Sequence, residues 1–184
     1  METKLLGIVG SNVPTSTNRK LMNALKAQVS DQANVTIADL AALPLFDKPA
    51  KDAIPAVVTA FCQQVAAADG VIIATPEYDH SVPAVLLNAL EWVAYSSRAL
   101  ANKPVLIIGA AYGKLGSDRA QAQLRQILLA PDLQAAVLPG EFQLANSLAA
   151  YDDHGALLHP ADQDGLTYQL AAFLQAVADN KSLI

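Results

Sequence analysis

Three stretches of this chain gather side chains able to do chemistry. The first, Gly10-Ser11-Asn12-Val13-Pro14-Thr15-Ser16-Thr17-Asn18-Arg19, crowds hydroxyl and amide groups ahead of a helical pattern. Free N–H groups and the dipole at a helix start favour an anion. Ser11, Ser16 and Asn18 can donate hydrogen bonds to it, and Arg19 adds a charge-assisted one of roughly 1.5–3 kcal/mol. The same residue types also cap helices with no ligand present, so capping is the competing reading. The second stretch, Thr75-Pro76-Glu77-Tyr78-Asp79-His80-Ser81, leaves an apolar run with main-chain groups able to face the edge of a flat heterocycle, Tyr78 packing near its ring. Its alternative is a tight connection around a buried tyrosine. The third, Ala110-Ala111-Tyr112-Gly113-Lys114-Leu115-Gly116-Ser117-Asp118-Arg119-Ala120, offers glycines for close main-chain approach and Tyr112 as a wall; otherwise it is a turn capped by Ser117 or Asp118.

Motifs that would redirect this chemistry are missing. No Gly-x-Gly-x-x-Gly follows the first strand, and Gly113-Lys114 runs into Leu115 instead of completing a triphosphate loop. A monophosphate held by hydroxyls points to a mononucleotide such as FMN. No Gly-x-Ser-x-Gly elbow suggests a hydrolase. His80 beside Asp79 is either a proton-transfer group or a solvent-facing helix-start residue. Asp152, Asp153, His154 and His159 lack a metal-ligand spacing and read as a solvated turn, so no metal is expected. Cys62 falls on the Val58, Phe61, Val65 stripe and reads as a small core residue.

Elements that could hold these loops are legible in the apolar pattern. Short apolar runs at Leu5–Val9, Val35–Ile37, Val71–Ala74, Val105–Ala110 and Gln134–Leu138 predict strands. Helical spacing follows Thr17-Asn18 through Leu21, Leu25 and Val29, then runs through Val57–Ala68, Pro83–Ala94, Ala120–Leu128 and Leu166–Val177. Strands alternating with helices predict an α/β fold with a doubly wound five-stranded parallel sheet, because right-handed crossovers put helices on both faces. In the order 2-1-3-4-5 the loops after strands 1, 3 and 4, which are the three stretches above, converge where the winding reverses.

Composition bounds the partners. The 184 residues, 53% of them hydrophobic, suit one domain over 1–184 with a proper core. A formal charge of −5 argues against nucleic acid or an anionic membrane, both of which need a basic face. Small molecules or proteins are the expected partners. With a lone cysteine, a short apolar stretch after Met1 and no run near the roughly 20 residues that span a bilayer, a cytoplasmic protein without membrane insertion is expected.

Taken in order, these motifs resemble the NADPH-dependent FMN reductases, a flavodoxin-like group that includes quinone, chromate and azo-dye reductases. The resemblance rests on Gly10-Ser11 with Ser16-x-Asn18-Arg19, then Thr75-Pro76-Glu77-Tyr78 with Ser81-x-Pro83 and Leu87-Asn88-Ala89-x-Glu91-Trp92, then Lys103-Pro104 and Gly113-x-x-Gly116-x-x-Arg119-Ala120-Gln121. It implies FMN as cofactor, with Ser11, Ser16, Asn18 and Arg19 on its phosphate. Pro76, Glu77, Tyr78 and Asp79 would border the ring and ribityl chain, with Ala111, Tyr112, Gly113 and Gly116 along the other side. It further implies NADPH or NADH as co-substrate, hydride transfer by a ping-pong route to quinones, free flavin or similar acceptors, and a homodimer or homotetramer. Because the flavin carries the redox chemistry, no catalytic acid or base is required. Main-chain N–H groups of the third loop would stabilise charge on the reduced ring. The chain departs from common family residues at Val13, often arginine, at Asp79-His80, often Asn-Tyr, at Ala111, often serine, and at Ser117, often glycine. An electron carrier reduced by a protein partner is the alternative.

Overall fold

The structure, a computed structural model, describes residues 2–182. The chain alternates strand and helix throughout: β1 (Thr3–Val9), α1 (Thr17–Gln28), β2 (Ala33–Ile37), α2 (Ala56–Ala67), β3 (Gly70–Ala74), α3 (Ala84–Ser96), β4 (Pro104–Ala110), α4 (Asp118–Leu128), β5 (Ala136–Leu144) and α5 (Pro160–Lys181). All five strands pair in parallel in the order β2-β1-β3-β4-β5. The expected doubly wound sheet is therefore the observed one.

Alternation along each central strand feeds two separate cores. Leu6, Ile8, Val71, Ile73, Val105 and Ile107 pack under α2, α3 and α4 with Phe61, Leu86, Trp92 and Leu124. Leu5, Val9, Ile72, Leu106 and Ile108 pack on the other face under α1 and α5 with Leu21, Leu25, Leu170 and Phe173. Cys62 is buried in the first of these cores. Burial pushes its thiol pKa up, against a smaller opposing hydrogen bond from Ser97.

Two elements are longer than the sequence suggests. β5 does not end at Leu138 but continues across Pro139-Gly140 to Leu144. Its register with β4 slips there, Val105 pairing with Val137 and Ile107 with Glu141, so the bulge absorbs a proline that cannot donate to the ladder. That is tolerable on an edge strand. Helix α5 begins at Pro160 rather than near Leu166 and spans 22 residues, the proline sitting in its first turn where no N–H is needed. The turn before it forms as expected: Tyr151 bridges Leu157, Asp152 Oδ1 accepts the N–H groups of His154 and Ala156, and Gly155 supplies φ +84°.

Candidate functional site

The ends of β1, β3 and β4 lie side by side, and the loops that follow them enclose a cavity of about 660 Å³. Its lining includes Ser11, Ser16, Thr17 and Asn18 from the first loop, Pro76 to His80 from the second, and Ala110 to Leu115 with Ser117 and Arg119 from the third. Of the residues singled out in the sequence, Arg19 and Gly116 are not part of that lining. A larger groove of about 830 Å³ lies between α1, α5 and the turn at 152–157. No strand ends there, so it lacks the converging main chain that makes the smaller cavity chemically distinctive.

At the first loop, Ser16 N–H donates to Val13 O, and Ser16 O then accepts from Arg19 and Lys20 as α1 begins. The N–H groups of Thr17 and Asn18 find no acceptor among the described residues, leaving two donors at the positive end of α1. Ser11 is buried; its Oγ accepts Val13 N–H at 3.3 Å and lies 3.2 Å from the Tyr78 hydroxyl. The Asn18 side chain has a different task from the anion contact considered above. Its Nδ2 donates to Ala110 O at 2.8 Å and its Oδ1 accepts Ala110 N–H at 2.9 Å, so both ends of the amide clasp the tip of β4. Thr17, not singled out in the sequence, is held by the far end of the chain: its Oγ1 is hydrogen-bonded to Ser147 Oγ at 2.9 Å and its carbonyl accepts the Tyr151 hydroxyl at 2.7 Å. Burial, helped by the nearby Asp162, pushes the Tyr151 pKa up, keeping that hydroxyl a donor.

The second loop is a two-residue hairpin. Tyr78 and Ser81 exchange both main-chain hydrogen bonds, at 3.1 and 2.9 Å, around Asp79 and His80, whose φ angles are +49° and +62°. Two successive positive φ values mark a type I′ turn, which sets Tyr78 upright at the cavity wall. Glu77 works through its side chain: Oε2 accepts the N–H groups of Arg119 and Ala120 at 3.0 and 3.3 Å, capping α4, while Oε1 pairs with the Arg119 guanidinium at 3.2 Å. Partial burial raises its pKa, but those hydrogen bonds and that of His80 outweigh it and hold the carboxyl below the usual glutamate range.

In the third loop the two glycines have separate reasons. A Cβ on Gly113 would meet nothing within 4 Å, whereas one on Gly116, at φ +58°, would stand 2.8 Å from the Gln143 main chain. Gly113 therefore leaves space in the cavity, and Gly116 lets the loop pass β5. Ser117 starts α4 in the left-handed region at φ +73°. Fully buried Gln121 ties the turn together, its Nε2 donating to Gly116 O and Phe142 O at 3.3 and 3.0 Å. The N–H groups of Tyr112, Gly113 and Lys114 have no acceptor among the described residues. Around the mouth stand Val13, Tyr78, Tyr112 and Leu115, all large, apolar and about half exposed or more.

This arrangement can seat a phosphoryl group on the first turn of α1 and lay a flat ring between the hairpin at 78–81 and the open main chain at Gly113. Among the described residues no three His, Cys, Asp or Glu side chains gather to hold a metal, and no helix is long and apolar enough to cross a membrane. Fold and cavity define a flavodoxin-like protein with an open cavity at the point where the winding reverses. Comparison with known proteins narrows this. The sequence model of the NADPH-dependent FMN reductases matches residues 3–149, and the chain belongs to that family. It is 49% identical over 154 residues to the NADH:(hydroxy)cinnamate reductase subunit CrdA of Vibrio ruber, a match covering 83% of this chain and 76% of the relative. It is 43% identical over 141 residues to subunit 2 of the NADH-dependent flavin reductase of Lactobacillus johnsonii, covering 74% and 76%. Its fold is shared with FerB, a flavoenzyme NAD(P)H:(acceptor) oxidoreductase from Paracoccus denitrificans, at a TM-score of 0.87 and 24% identity over 97% of this chain and 98% of the other.

Proposed function

We propose that this protein is an FMN-dependent NAD(P)H oxidoreductase that passes reducing equivalents to quinones, free flavin or similar small acceptors. FMN, when bound, would supply the two-electron redox chemistry between nicotinamide and acceptor. The observation that carries this reading is the pairing of two unpartnered N–H groups at the start of α1 with the unobstructed main chain at Gly113 across one cavity. Thr17 and Asn18 N–H, with the Ser11 and Ser16 hydroxyls, hold the phosphate; Pro76 to Asp79 orient the ring; Ala111, Tyr112 and Gly113 cover its other side.

The residues of the site bind and orient, and none is placed to move a proton. Glu77 is engaged by α4 and Arg119, and His80 stands at the rim within 3.4 Å of Glu77. The free N–H groups of Tyr112, Gly113 and Lys114 offer stabilisation for negative charge on the ring. A mouth framed by Tyr78 and Tyr112 gives nicotinamide and acceptor one shared face, which they occupy in turn in a ping-pong cycle. The apolar rim supports association into a homodimer or homotetramer, and the expected setting is the cytoplasm. An absorption spectrum of the FMN-loaded protein before and after anaerobic NADH or NADPH tests the proposal. Bleaching of the flavin band followed by recovery on adding a quinone is expected; a protein that takes up no FMN would end it.

A second reading draws on the relative named as a subunit of a cinnamate reductase. On that reading the protein would hold FMN for electron exchange with a partner protein. Steady NAD(P)H oxidation with a quinone alone favours the first reading, and turnover only after adding a partner favours the second.

A further inference from the structure

The phosphate end of the cavity lacks a side-chain cation. Val13 on the first loop is apolar, Arg19 is not part of the lining, and the lining cations, Lys114 and Arg119, come from the third loop, where Arg119 is paired with Glu77. What does reach the first loop from across the cavity is Tyr78. Its hydroxyl lies 3.2 Å from the buried Ser11 Oγ, although the two residues are 67 positions apart. Ser11 Oγ already accepts the Val13 N–H, and this serine and tyrosine put a pair of hydroxyl groups into the same cavity lining as Thr17 and Asn18, whose N–H groups are unpartnered. The hairpin fixes that reach: its reciprocal hydrogen bonds and two left-handed residues set the direction of Tyr78 before any ligand arrives.

We propose that Tyr78 is a phosphate-selecting residue, its hydroxyl joining Ser11 to replace the missing cation, so that the flavin phosphate is recognised by neutral donors and the helix end. This rests on the flavin reading given above. It is a second task for Tyr78, separable from the ring contact given above, because that contact uses the aromatic face and is indifferent to the hydroxyl.

Fluorescence titration of wild type, Tyr78→Phe and Arg19→Ala with FMN and with riboflavin separates the roles, without recourse to turnover. Loss of one charge-assisted hydrogen bond predicts that Tyr78→Phe weakens FMN binding by about tenfold or more and leaves riboflavin binding within about twofold. Ser11→Ala should give the same FMN-selective loss. If Tyr78→Phe weakens both ligands equally, or neither, the proposal is overturned. It is likewise overturned if selectivity for FMN over riboflavin survives in Tyr78→Phe and vanishes in Arg19→Ala. Failure of the wild type to bind either flavin is a separate result, which removes the flavin reading itself.

Discussion

Replacing Asn18 by alanine isolates what the first loop contributes to the fold. The side chain is 1% exposed and makes two hydrogen bonds to Ala110, itself buried, at 2.8 and 2.9 Å. Truncation removes both and strands a main-chain N–H and a C=O at the tip of a central strand. Each stranded group carries a desolvation penalty of about 1–3 kcal/mol, so a loss of about 2–6 kcal/mol is expected. For a protein of this size that lowers the melting temperature by about 4–24 °C. Urea unfolding followed by circular dichroism measures the first quantity and calorimetry the second. Asn18→Asp gives an independent check. It keeps the acceptor for Ala110 N–H but sets a carboxylate oxygen against Ala110 O, so the ionised form is disfavoured and the carboxyl pKa is raised on folding. That variant should be weakest near neutral pH and recover as acid protonates it and restores a donor. If Asn18→Ala unfolds within about 0.5 kcal/mol of wild type while FMN affinity collapses, the residue is a ligand and the clasp argument is wrong.

Other perturbations follow from the same geometry. Glu77 has its pKa depressed in the folded state, so its contribution is present above the unfolded value and is lost as pH falls through the folded one; urea midpoints of wild type and Glu77→Gln should therefore differ most near neutrality and converge as pH falls below the usual glutamate range. Gly116→Ala forces a Cβ to within 2.8 Å of the Gln143 main chain at a left-handed φ and should destabilise by about 2 kcal/mol or more, whereas Gly113→Ala should leave the unfolding midpoint nearly unchanged. His80→Gly removes the left-handed strain at φ +62° and should stabilise by about 0.5–1 kcal/mol, read by the same assay. Cys62, buried and with its thiol pKa raised, should react with a thiol reagent only after urea is added.

The doubly wound sheet was legible because the three central strands, β1, β3 and β4, are unbroken apolar runs, and a sheet covered on both faces accommodates them. Where legibility failed, one signal concealed another. Pro139-Gly140 reads as a chain break, yet an edge strand with a bulge can carry both, so β5 was cut short. Around the cavity, local residue types pointed to the loops that line it but not to each side chain's partner. Asn18 has the type of a phosphate ligand and is engaged by Ala110, 92 positions away. Glu77 borders the cavity, yet its carboxylate caps α4. Thr17 was read only as part of a helix-start signal, because its ties to Ser147 and Tyr151 come from contacts at a separation that leaves no periodic trace. Ser117 was read as a cap candidate and as a departure from glycine; it sits at the start of α4 without a side-chain cap hydrogen bond, and its φ of +73° is the left-handed conformation that glycine adopts readily.

The three ties on the start of α1 also bear on when the protein becomes competent. Thr17 and Asn18 belong to the earliest part of the chain, but the residues that fix them lie 92, 130 and 134 positions downstream. A ribosome releasing this chain exposes the loop first and its fastenings last, and closing such distant contacts is slow. Until residues near Tyr151 have emerged and docked, the nascent loop has no fixed shape to offer. Cofactor capture is thereby deferred to the completed polypeptide, and a fragment that stops short of Ser147 should accumulate without its flavin.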